Sequence, residues 1–320
     1  MYYRSDWPEV GLPSPISEKC PAAVGGQNGA WVKETEIDGL TFRWMAQPSE
    51  FESSLYGLPI WSLYVELEGR GDDLSGALRW SESSRIHSFR GALADLLLTA
   101  PFCDCGHVYA KVVEDEIGHD LLLEAGFEAV ERRRLYTCQI QEITCGPLPP
   151  SAGHIRLGTL AAFELGELPD RQGQILDVCR EAFARGHSRH FTDPVLLEQV
   201  PGVEYILHVM ELNFERIAPE CFLVATDDDS DQICGVTVVG RKPGLGSGTY
   251  TQLLSAVRKA YRGRGIYRGL VHLLSNRLPA DARLLNVTHV DNQAMQRAYR
   301  GSGRFHLADT VVLKRVFGRV

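Results

Sequence analysis

AVRKAYRGRGIYRGL, residues 256–270, is the end of a predicted strand, a glycine-bearing turn and the start of a predicted helix. Such a turn points several backbone N–H groups at one place, and the helix dipole adds partial positive charge there. Gly263 and Gly265 permit a ligand to approach the backbone closely, and Arg262 and Arg264 add positive charge. The stretch predicts a phosphate-binding turn, with a solvated basic surface turn as the alternative.

The spacing excludes two common phosphate-binding motifs. No Lys-Ser or Lys-Thr pair follows the glycines, as a Walker loop requires, and the glycine spacing differs from that of a dinucleotide-binding fingerprint. The strand before the turn also belongs to a predicted antiparallel meander and not to a βαβ unit. We therefore expect neither of those nucleotide-binding folds.

The elements around the turn predict a mixed α/β (α+β) fold with a mostly antiparallel sheet flanked by helices. Three strands, CFLVAT, ICGVTVVG and TYTQLLSAV, precede it, and the polar turn DDDSD between the first two favours a meander. Two amphipathic helices, GQILDVCREAFARG and VEYILHVMELNFERI, come before these strands. A helix, a strand, a helix and a final strand complete the second half of the chain.

Composition divides the chain into four parts. Residues 145–153, CGPLPPSAG, contain three prolines and two glycines and predict a linker. Residues 1–34 predict an N-terminal extension, residues 35–144 a first α/β domain, and residues 154–320 the domain that carries the phosphate-binding turn.

An internal repeat links the two domains. VVEDEIGHDLLLEAGF and HVDNQAMQRAYRGSGR align without a gap, with Gly126 opposite Gly303. In this frame Asp115 faces Asn292 and Leu122 faces Tyr299. Because the first half also has no glycine-rich turn, we expect a tandem duplication whose first copy is degenerate.

Composition also limits the partners. The formal net charge is -8 with dispersed Lys and Arg, which argues against nucleic acid. No apolar run approaches the ~20 residues that span a bilayer, so no membrane partner is expected. The opening MYYRSDWPEVGLPSP shows no secretory signal, so we expect a cytoplasmic location.

The eight cysteines are expected to be reduced and structural. Cys103 and Cys105 lie close to His107, but no second cluster supplies the remaining ligands of a metal site. We therefore predict no metal.

The turn resembles the acyl-CoA signature of the GNAT family of N-acetyltransferases. In that signature, two residues separate an Arg or Gln from a Gly, and one residue separates this Gly from a second Gly or an Ala. Arg262, Gly265 and Tyr267 hold these places, and Tyr267 departs from the pattern. The order of elements is similar too. The resemblance implies the GNAT fold, with acetyl-CoA as acyl donor and its pantetheine arm between the strands at residues 249–257 and 284–288.

Roles for individual residues follow from this resemblance. Tyr299 would donate a proton to the departing CoA thiolate, and a phenol with a pKa of ~10 suits that task. A half-buried core tyrosine is the alternative. The general base is not identified by the sequence; its candidates are Glu211, His289 and Asp291. The implied cofactor-binding residues are Ala256, Val257, Arg262, Gly263, Arg264, Gly265, Ile266, Tyr267 and Asn292.

Residues 186–194, GHSRHFTDP, predict a loop where GNAT proteins commonly shape the acceptor pocket, with a solvated loop as the alternative. This segment and residues 49–66 resemble the dTDP-fucosamine acetyltransferase group, which implies a nucleotide-linked amino sugar as acceptor. The candidate acceptor-binding residues are Arg189, His190, Asp193 and Tyr205, with His187 beside them.

The sequence thus predicts an acyl-CoA-dependent N-acyltransferase that moves an acetyl group to a primary amine of a small molecule by direct attack. An amino acid, natural-product or protein amine is the alternative acceptor, and a non-catalytic acyl-CoA-binding module is the alternative class. A cysteine nucleophile is disfavoured because no Cys lies in residues 256–270 or near Tyr299. The oligomeric state is open, and a homodimer is one expectation.

Overall fold

The structure is a computed structural model. It describes residues 31–37, 40–68, 91, 93–94, 97, 106–114, 117–160, 169–186, 188–216, 222–241 and 248–317. Residues 1–30 of the predicted extension at 1–34, the Cys103–Cys105 pair, Asp115 and His187 lie outside these residues, whereas residues 31–34 begin a strand.

The described chain forms two compact units. The first comprises the described parts of Ile16–Arg132 and Asp309–Val320, and the second those of Arg133–Ala308. Their boundaries fall inside two strands, whereas the sequence placed the division at residues 145–153.

The elements of the first unit are β1 (Trp31–Ile37), β2 (Leu40–Pro48), α1 (Glu50–Tyr56), β3 (Ile60–Glu68), β4 (Gly106–Val113) and α2 (Ile117–Glu124). Strand β5 (Glu128–Gln139) runs from the first unit into the second. Strand β11 (Phe305–Phe317) begins in the second unit and ends in the first.

The second unit contains β6 (Ile155–Leu160), α3 (Pro169–Ala182), α4 (Arg189–Thr192), α5 (Pro194–Gln199), α6 (Gly202–Arg216), β7 (Phe222–Asp227), β8 (Gln232–Arg241), β9 (Thr249–Val257), α7 (Ile266–Ser275), β10 (Arg283–His289) and α8 (Gln293–Arg300). Its strand order is β5-β10-β9-β8-β7-β6. Only β9 and β10 pair in parallel, while β6 to β9 form an antiparallel meander and β10 pairs antiparallel with β5. The predicted mixed, mostly antiparallel fold is confirmed.

The first unit repeats this pattern. Its strand order is β1-β2-β3-β4-β11, and only β3 and β4 pair in parallel. The alignment that sets Gly126 opposite Gly303 also carries β4 onto β10, α2 onto α8 and β5 onto β11. Both glycines have positive φ, of 83° and 88°, a conformation that glycine adopts without steric strain.

Each unit takes its last strand from the other half of the sequence. β4 of the first unit pairs with Thr310–Phe317 of β11, and β10 of the second unit pairs with Arg133–Gln139 of β5. The two copies have thus exchanged their final strands.

The apolar face of α7 forms the core of the second unit. Ile266, Leu270 and Leu274 are at most 2% exposed, because their helical spacing turns them together onto the sheet. Helices α3 and α6 also pack against each other. None of the described helices is long and apolar enough to cross a membrane.

Candidate active site

A cleft opens between β9 and β10. The two strands pair from Thr249 with Arg283 to Gln252 with Asn286, and they do not pair beyond that point. β9 nevertheless continues to Val257 along β8, and β10 continues to His289 along β5. The backbone groups that face each other across the gap are therefore not used in pairing between these two strands. The predicted strands at 249–257 and 284–288 are therefore in place.

A β-bulge marks the start of this cleft. Val238 of β8 pairs with Leu254, and Val239 pairs with Gln252, so Leu253 of β9 has no opposite residue. A bulge bends its strand and increases its twist. It lies immediately after the last paired residue, which suits the separation of β9 from β10. The predicted cofactor-binding residues Ala256 and Val257 lie in the separated part of β9.

The glycine-bearing turn lies at the open end of the cleft. Gly263 and Gly265 have φ values of 80° and 79°, and Gly265 caps the N-terminus of α7. Arg262 and Arg264 are exposed, and the Arg262 Nε donates to the Val257 carbonyl at 3.1 Å. The turn therefore combines exposed guanidinium groups with the positive end of a helix.

Two members of the turn also have packing roles. Ile266 is 2% exposed, and its side chain fills the space above Gly235, where an added Cβ would come within 2.9 Å. A Cβ on Gly265 would lie 2.9 Å from the Pro149 ring. A larger residue at position 265 would therefore be strained by the positive φ and would clash with the Pro149 ring.

A row of buried polar side chains closes the cleft at its vertex. Gln252, Asn286 and Tyr136 lie side by side on β9, β10 and β5, and they are 6%, 0% and 1% exposed. The Asn286 Nδ2 donates to the Gln252 Oε1 at 2.9 Å, and the Gln252 Nε2 donates to the Ser255 Oγ at 2.6 Å.

The last paired row of the first unit is apolar. β3 and β4 also separate after four paired residues, and their last row consists of Leu63, Ala110 and Leu313. These are 2%, 2% and 0% exposed. The same strand geometry therefore surrounds polar groups in one unit and aliphatic groups in the other.

Tyr267 turns its side chain toward the vertex. Its hydroxyl donates to the Gln252 Oε1 at 3.3 Å and accepts from the Arg304 Nη1 at 3.2 Å. Burial raises the pKa of this phenol. The residue that departs from the GNAT signature thus places an aromatic ring at the inner end of the cleft.

Tyr299 lies beside it. The side chain is 3% exposed, and its ring centroid is 5.2 Å from that of Tyr136 and 6.4 Å from that of Tyr267. Burial raises the pKa of Tyr299 well above 10, the nearby Tyr267 raises it further, and Arg304 and the Asn286 side chain oppose this. The phenol is therefore protonated at neutral pH, as a proton donor must be.

Asn292 caps α8. Its Oδ1 accepts from the Met295 backbone N–H at 3.2 Å, an arrangement typical of an N-cap. The amide NH2 is then the part of this side chain that is suited to contact a ligand.

Arg304 lies beside Tyr299 and Gln252, and the sequence did not single it out. It is 2% exposed, its Nη1 donates to the Ser302 Oγ at 2.5 Å, and its Nη2 donates to the Gln252 Oε1 at 3.3 Å. Its guanidinium carbon lies 5.1 Å from the Tyr299 ring centroid. The internal repeat contains a signal that could have identified it. The alignment of Gly126 with Gly303 also sets Arg304 opposite Phe127, an apolar residue that is 2% exposed.

The three candidate bases are in different settings. The Glu211 carboxylate is 55% exposed and lies 3.3 Å from the His208 Nδ1, on α6. His289 ends β10 within the separated region; its Nδ1 accepts from the Asp291 backbone N–H at 3.1 Å and lies 3.5 Å from the Asp291 Oδ2. Because side chains alternate along a strand, His289 projects to the face opposite Asn286.

The candidate acceptor-binding residues lie together and are buried. The segment predicted as a loop, residues 186–194, contains α4 and the first residue of α5, and Arg189, His190, Asp193 and Tyr205 are 2–5% exposed. The His190 and Tyr205 rings stack with centroids 3.5 Å apart, and the Asp193 Oδ1 accepts from the Val195 N–H at 3.1 Å. These contacts fix the shape of the segment.

The described cysteines are free and buried, and burial raises the pKa of Cys179 to about 12 and of Cys234 to about 11. In the described part of the chain no cluster of His, Cys, Asp and Glu could hold a metal ion.

Comparisons with known proteins match one part of the chain to a family and the fold to solved structures. Residues 188–303 match the model of the acetyltransferase (GNAT) family. The solved structure of a tandem GNAT protein from the clavulanic acid biosynthesis pathway, without acetyl-CoA, is 12% identical and aligns over 92% of this chain and 86% of its own, with a TM-score of 0.51. A GCN5-related N-acetyltransferase from Sphaerobacter thermophilus is 16% identical over 88% of this chain and 81% of its own, with a TM-score of 0.48. No curated protein matches the chain.

The family match and the fold together support the class of an acyl-CoA-dependent N-acyltransferase. The segment from residue 188 to residue 303, which holds the turn, the cleft and Tyr299, is the part of the chain that matches the acetyltransferase (GNAT) family. The predicted GNAT fold and enzyme class are confirmed.

Proposed function

We propose that the second unit transfers an acetyl group from acetyl-CoA to a primary amine of a small molecule. The observation that carries the proposal is the cleft between β9 and β10, which has a basic turn at its open end and Tyr299 at its vertex. Acetyl-CoA has matching chemistry, with phosphates at one end and a thioester at the other.

The residues of the cleft fit this donor. The exposed Arg262 and Arg264 and the N-terminus of α7 suit a pyrophosphate. The unpaired strand edges beyond Gln252 offer backbone donors and acceptors to the amides of a pantetheine arm and to the thioester carbonyl.

We propose a direct transfer in a ternary complex. The amine nitrogen attacks the thioester carbonyl carbon, the carbon–sulfur bond breaks, and Tyr299 gives its phenolic proton to the departing thiolate. The amine loses its own proton to a base. His289 is the preferred base, because it lies on the separated part of β10 and projects to the face opposite Asn286. Proton removal and proton donation then occur from opposite sides of the sheet.

A nucleotide-linked amino sugar is the proposed acceptor. Its support is the resemblance of residues 49–66 and 186–194 to enzymes for such sugars. We propose that Arg189, His190, Asp193 and Tyr205 act by holding α4 and α5 in place beside the acceptor, since they are buried.

The test is a thiol-release assay. Purified protein is incubated with acetyl-CoA and a panel of amines that includes nucleotide-linked amino sugars, amino acids and peptides, and free CoA is measured with a thiol reagent. Steady release that depends on one class of amine supports the proposal and identifies the acceptor. The proposal is contradicted if CoA is released only by hydrolysis of acetyl-CoA, or if no amine causes release of CoA.

A second candidate is an acyl-CoA-binding module without turnover. The observation in its favour is the Tyr267 ring at the vertex, together with the 3% exposure of Tyr299. Calorimetric titration with acetyl-CoA separates the two candidates, because saturable binding without release of CoA in any assay supports the module.

A further inference from the structure

Among the residues that the structure describes, the buried charge of Arg304 has no counter-charge. Its hydrogen bonds go to neutral acceptors on Ser302, Tyr267 and Gln252, its Nε has no hydrogen-bond partner, and no carboxylate of the described residues pairs with it. A buried ion keeps a large desolvation cost unless an opposite charge lies beside it. A core position filled only for packing would hold an apolar residue, so this guanidinium needs another explanation.

The first unit shows which residue packing alone selects. In the repeat frame Phe127 occupies the place of Arg304, and Leu122 occupies the place of Tyr299. Both are buried, at 2% and 3% exposure, as are Arg304 and Tyr299 at 2% and 3%. The phenol and the guanidinium are thus both present in one unit and both replaced by apolar residues in the other.

The geometry points to Arg304 as a positioning residue for the proposed reaction, which supports the negative charge left on Tyr299 when that phenol gives up its proton. This inference rests on the proposed function, in which Tyr299 is the proton donor. The guanidinium carbon lies 5.1 Å from the Tyr299 ring centroid, close enough for its charge to stabilise a phenolate.

The proton balance shows why such support is required. The phenolic proton passes to the thiolate sulfur, so a neutral Tyr299 becomes a phenolate and the thiolate becomes a thiol. A thiol is the stronger acid, with a pKa of ~8.5 against ~10 for a phenol, so the transfer runs uphill. Burial makes this proton transfer still less favourable, because a buried site disfavours the phenolate. A fixed positive charge beside the ring opposes both effects.

The experiment is a double-mutant cycle in the full chain with acetyl-CoA and the acceptor found in the amine panel. Arg304→Met removes the charge but keeps the length and burial of the side chain, and Arg304→Lys keeps the charge. We expect Arg304→Met to lower kcat about 100-fold, the order given by a unit charge some 5 Å away at an effective dielectric constant of about 20. Arg304→Lys should stay within about tenfold of the original rate.

Coupling to Tyr299 distinguishes this role from a structural one. In a Tyr299→Phe background, Arg304→Met should lower kcat by less than about threefold, because the group it acts through is gone. The Kd for acetyl-CoA should change by less than about twofold in every variant. If Arg304→Met does not fold, Arg304→Gln serves in the same cycle.

The two proposals fail in different ways. If the original chain turns over and Arg304→Met lowers kcat by less than about threefold, the role of Arg304 is overturned and the proposed function stands. The same holds if Arg304→Met lowers kcat as much in the Tyr299→Phe background as in the original chain. No turnover with any amine, despite binding of acetyl-CoA, overturns the proposed function and the role of Arg304 with it.

Discussion

Individual residues at the vertex decide how far a ligand can enter the cleft. The GNAT signature has Gly or Ala where this chain has Tyr267, and the hydroxyl of Tyr267 reaches Gln252 at 3.3 Å. A ring in this place must turn aside before a pantetheine arm reaches the thioester position. The need to populate an open state first lowers the apparent affinity for the cofactor.

Tyr267→Ala should therefore bind acetyl-CoA more tightly, by about threefold or more, because the ring no longer competes for the space. The same change removes a half-buried aromatic ring and should also lower the free energy of unfolding. Calorimetry and thermal unfolding measure the two effects. Tyr267→Phe, which keeps the ring, is the matched control and should leave the affinity unchanged. Weaker binding by a folded Tyr267→Ala variant would mean that the ring is part of the cofactor site.

Tyr299→Phe should lower kcat by about 100-fold or more and leave the affinity for acetyl-CoA nearly intact, because only the proton donor is lost. Tyr109→Phe is the control, since Tyr109 is another buried tyrosine, 2% exposed, in the first unit. The assay is CoA release at saturating amine. An equal loss in both variants, or no loss in Tyr299→Phe, would remove Tyr299 from the mechanism.

Sequence reasoning identified Tyr299 but not Arg304, for a physical reason. Tyr299 lies two helical turns after Asn292 on a predicted helix, and that periodicity fixes its face. Arg304 lies between a helix and a strand, where no periodicity applies, and an arginine there is normally exposed. Its burial depends on Gln252 and Tyr267, which are distant in sequence.

Among the secondary-structure elements, the turn before α7 has the clearest functional geometry. Its glycines require positive φ, and Pro149 lies against Gly265. A substitution of Gly265 would disturb the fold as well as a ligand. The exposed arginine side chains beside it therefore provide a better test of phosphate binding.

Arg264→Glu should weaken acetyl-CoA binding by about tenfold or more, because it replaces a charge that attracts phosphate with one that repels it. Arg277→Glu is the matched control. Arg277 is equally exposed and lies just beyond the other end of α7, so it undergoes the same charge change away from the turn. Calorimetry at two salt concentrations measures both variants, and the loss in Arg264→Glu should shrink at high salt. Equal losses in the two variants would argue against a phosphate site at the turn.

The other elements differ in how well the sequence predicts them. Strand β9, residues 249–257, was predicted with its observed bounds because its apolar run is bordered by turns. The edge strand β6 was not predicted, since the sequence IRLGTL is short and contains a glycine. The residues of α4 were assigned to a loop because four residues give no helical period.

On the scale of the whole molecule, the exchange of final strands between the copies could not be predicted. β5 and β11 occupy the same position in the two copies of the repeat. The residue pattern of each strand is therefore compatible with pairing to β4 or to β10. The predicted division at residues 145–153 assumed that each copy keeps its own last strand. The observed pairings, β10 with β5 and β4 with β11, make each unit depend on both halves of the sequence.

This exchange predicts which part of the chain can fold alone. A fragment of residues 154–320 lacks β5, so β10, whose residues Arg283–His289 all pair with Arg133–Gln139, becomes an open edge. A fragment of residues 133–308 keeps every pairing of β10. We expect the latter to unfold cooperatively and to bind acetyl-CoA, and the former to do neither, because an unpaired strand leaves its backbone groups unsatisfied. Thermal unfolding and calorimetry measure both, and addition of residues 1–153 should restore binding to the fragment of residues 154–320. If that fragment folds and binds unaided, β11 has taken the place of β5, and the exchange is not required for the site.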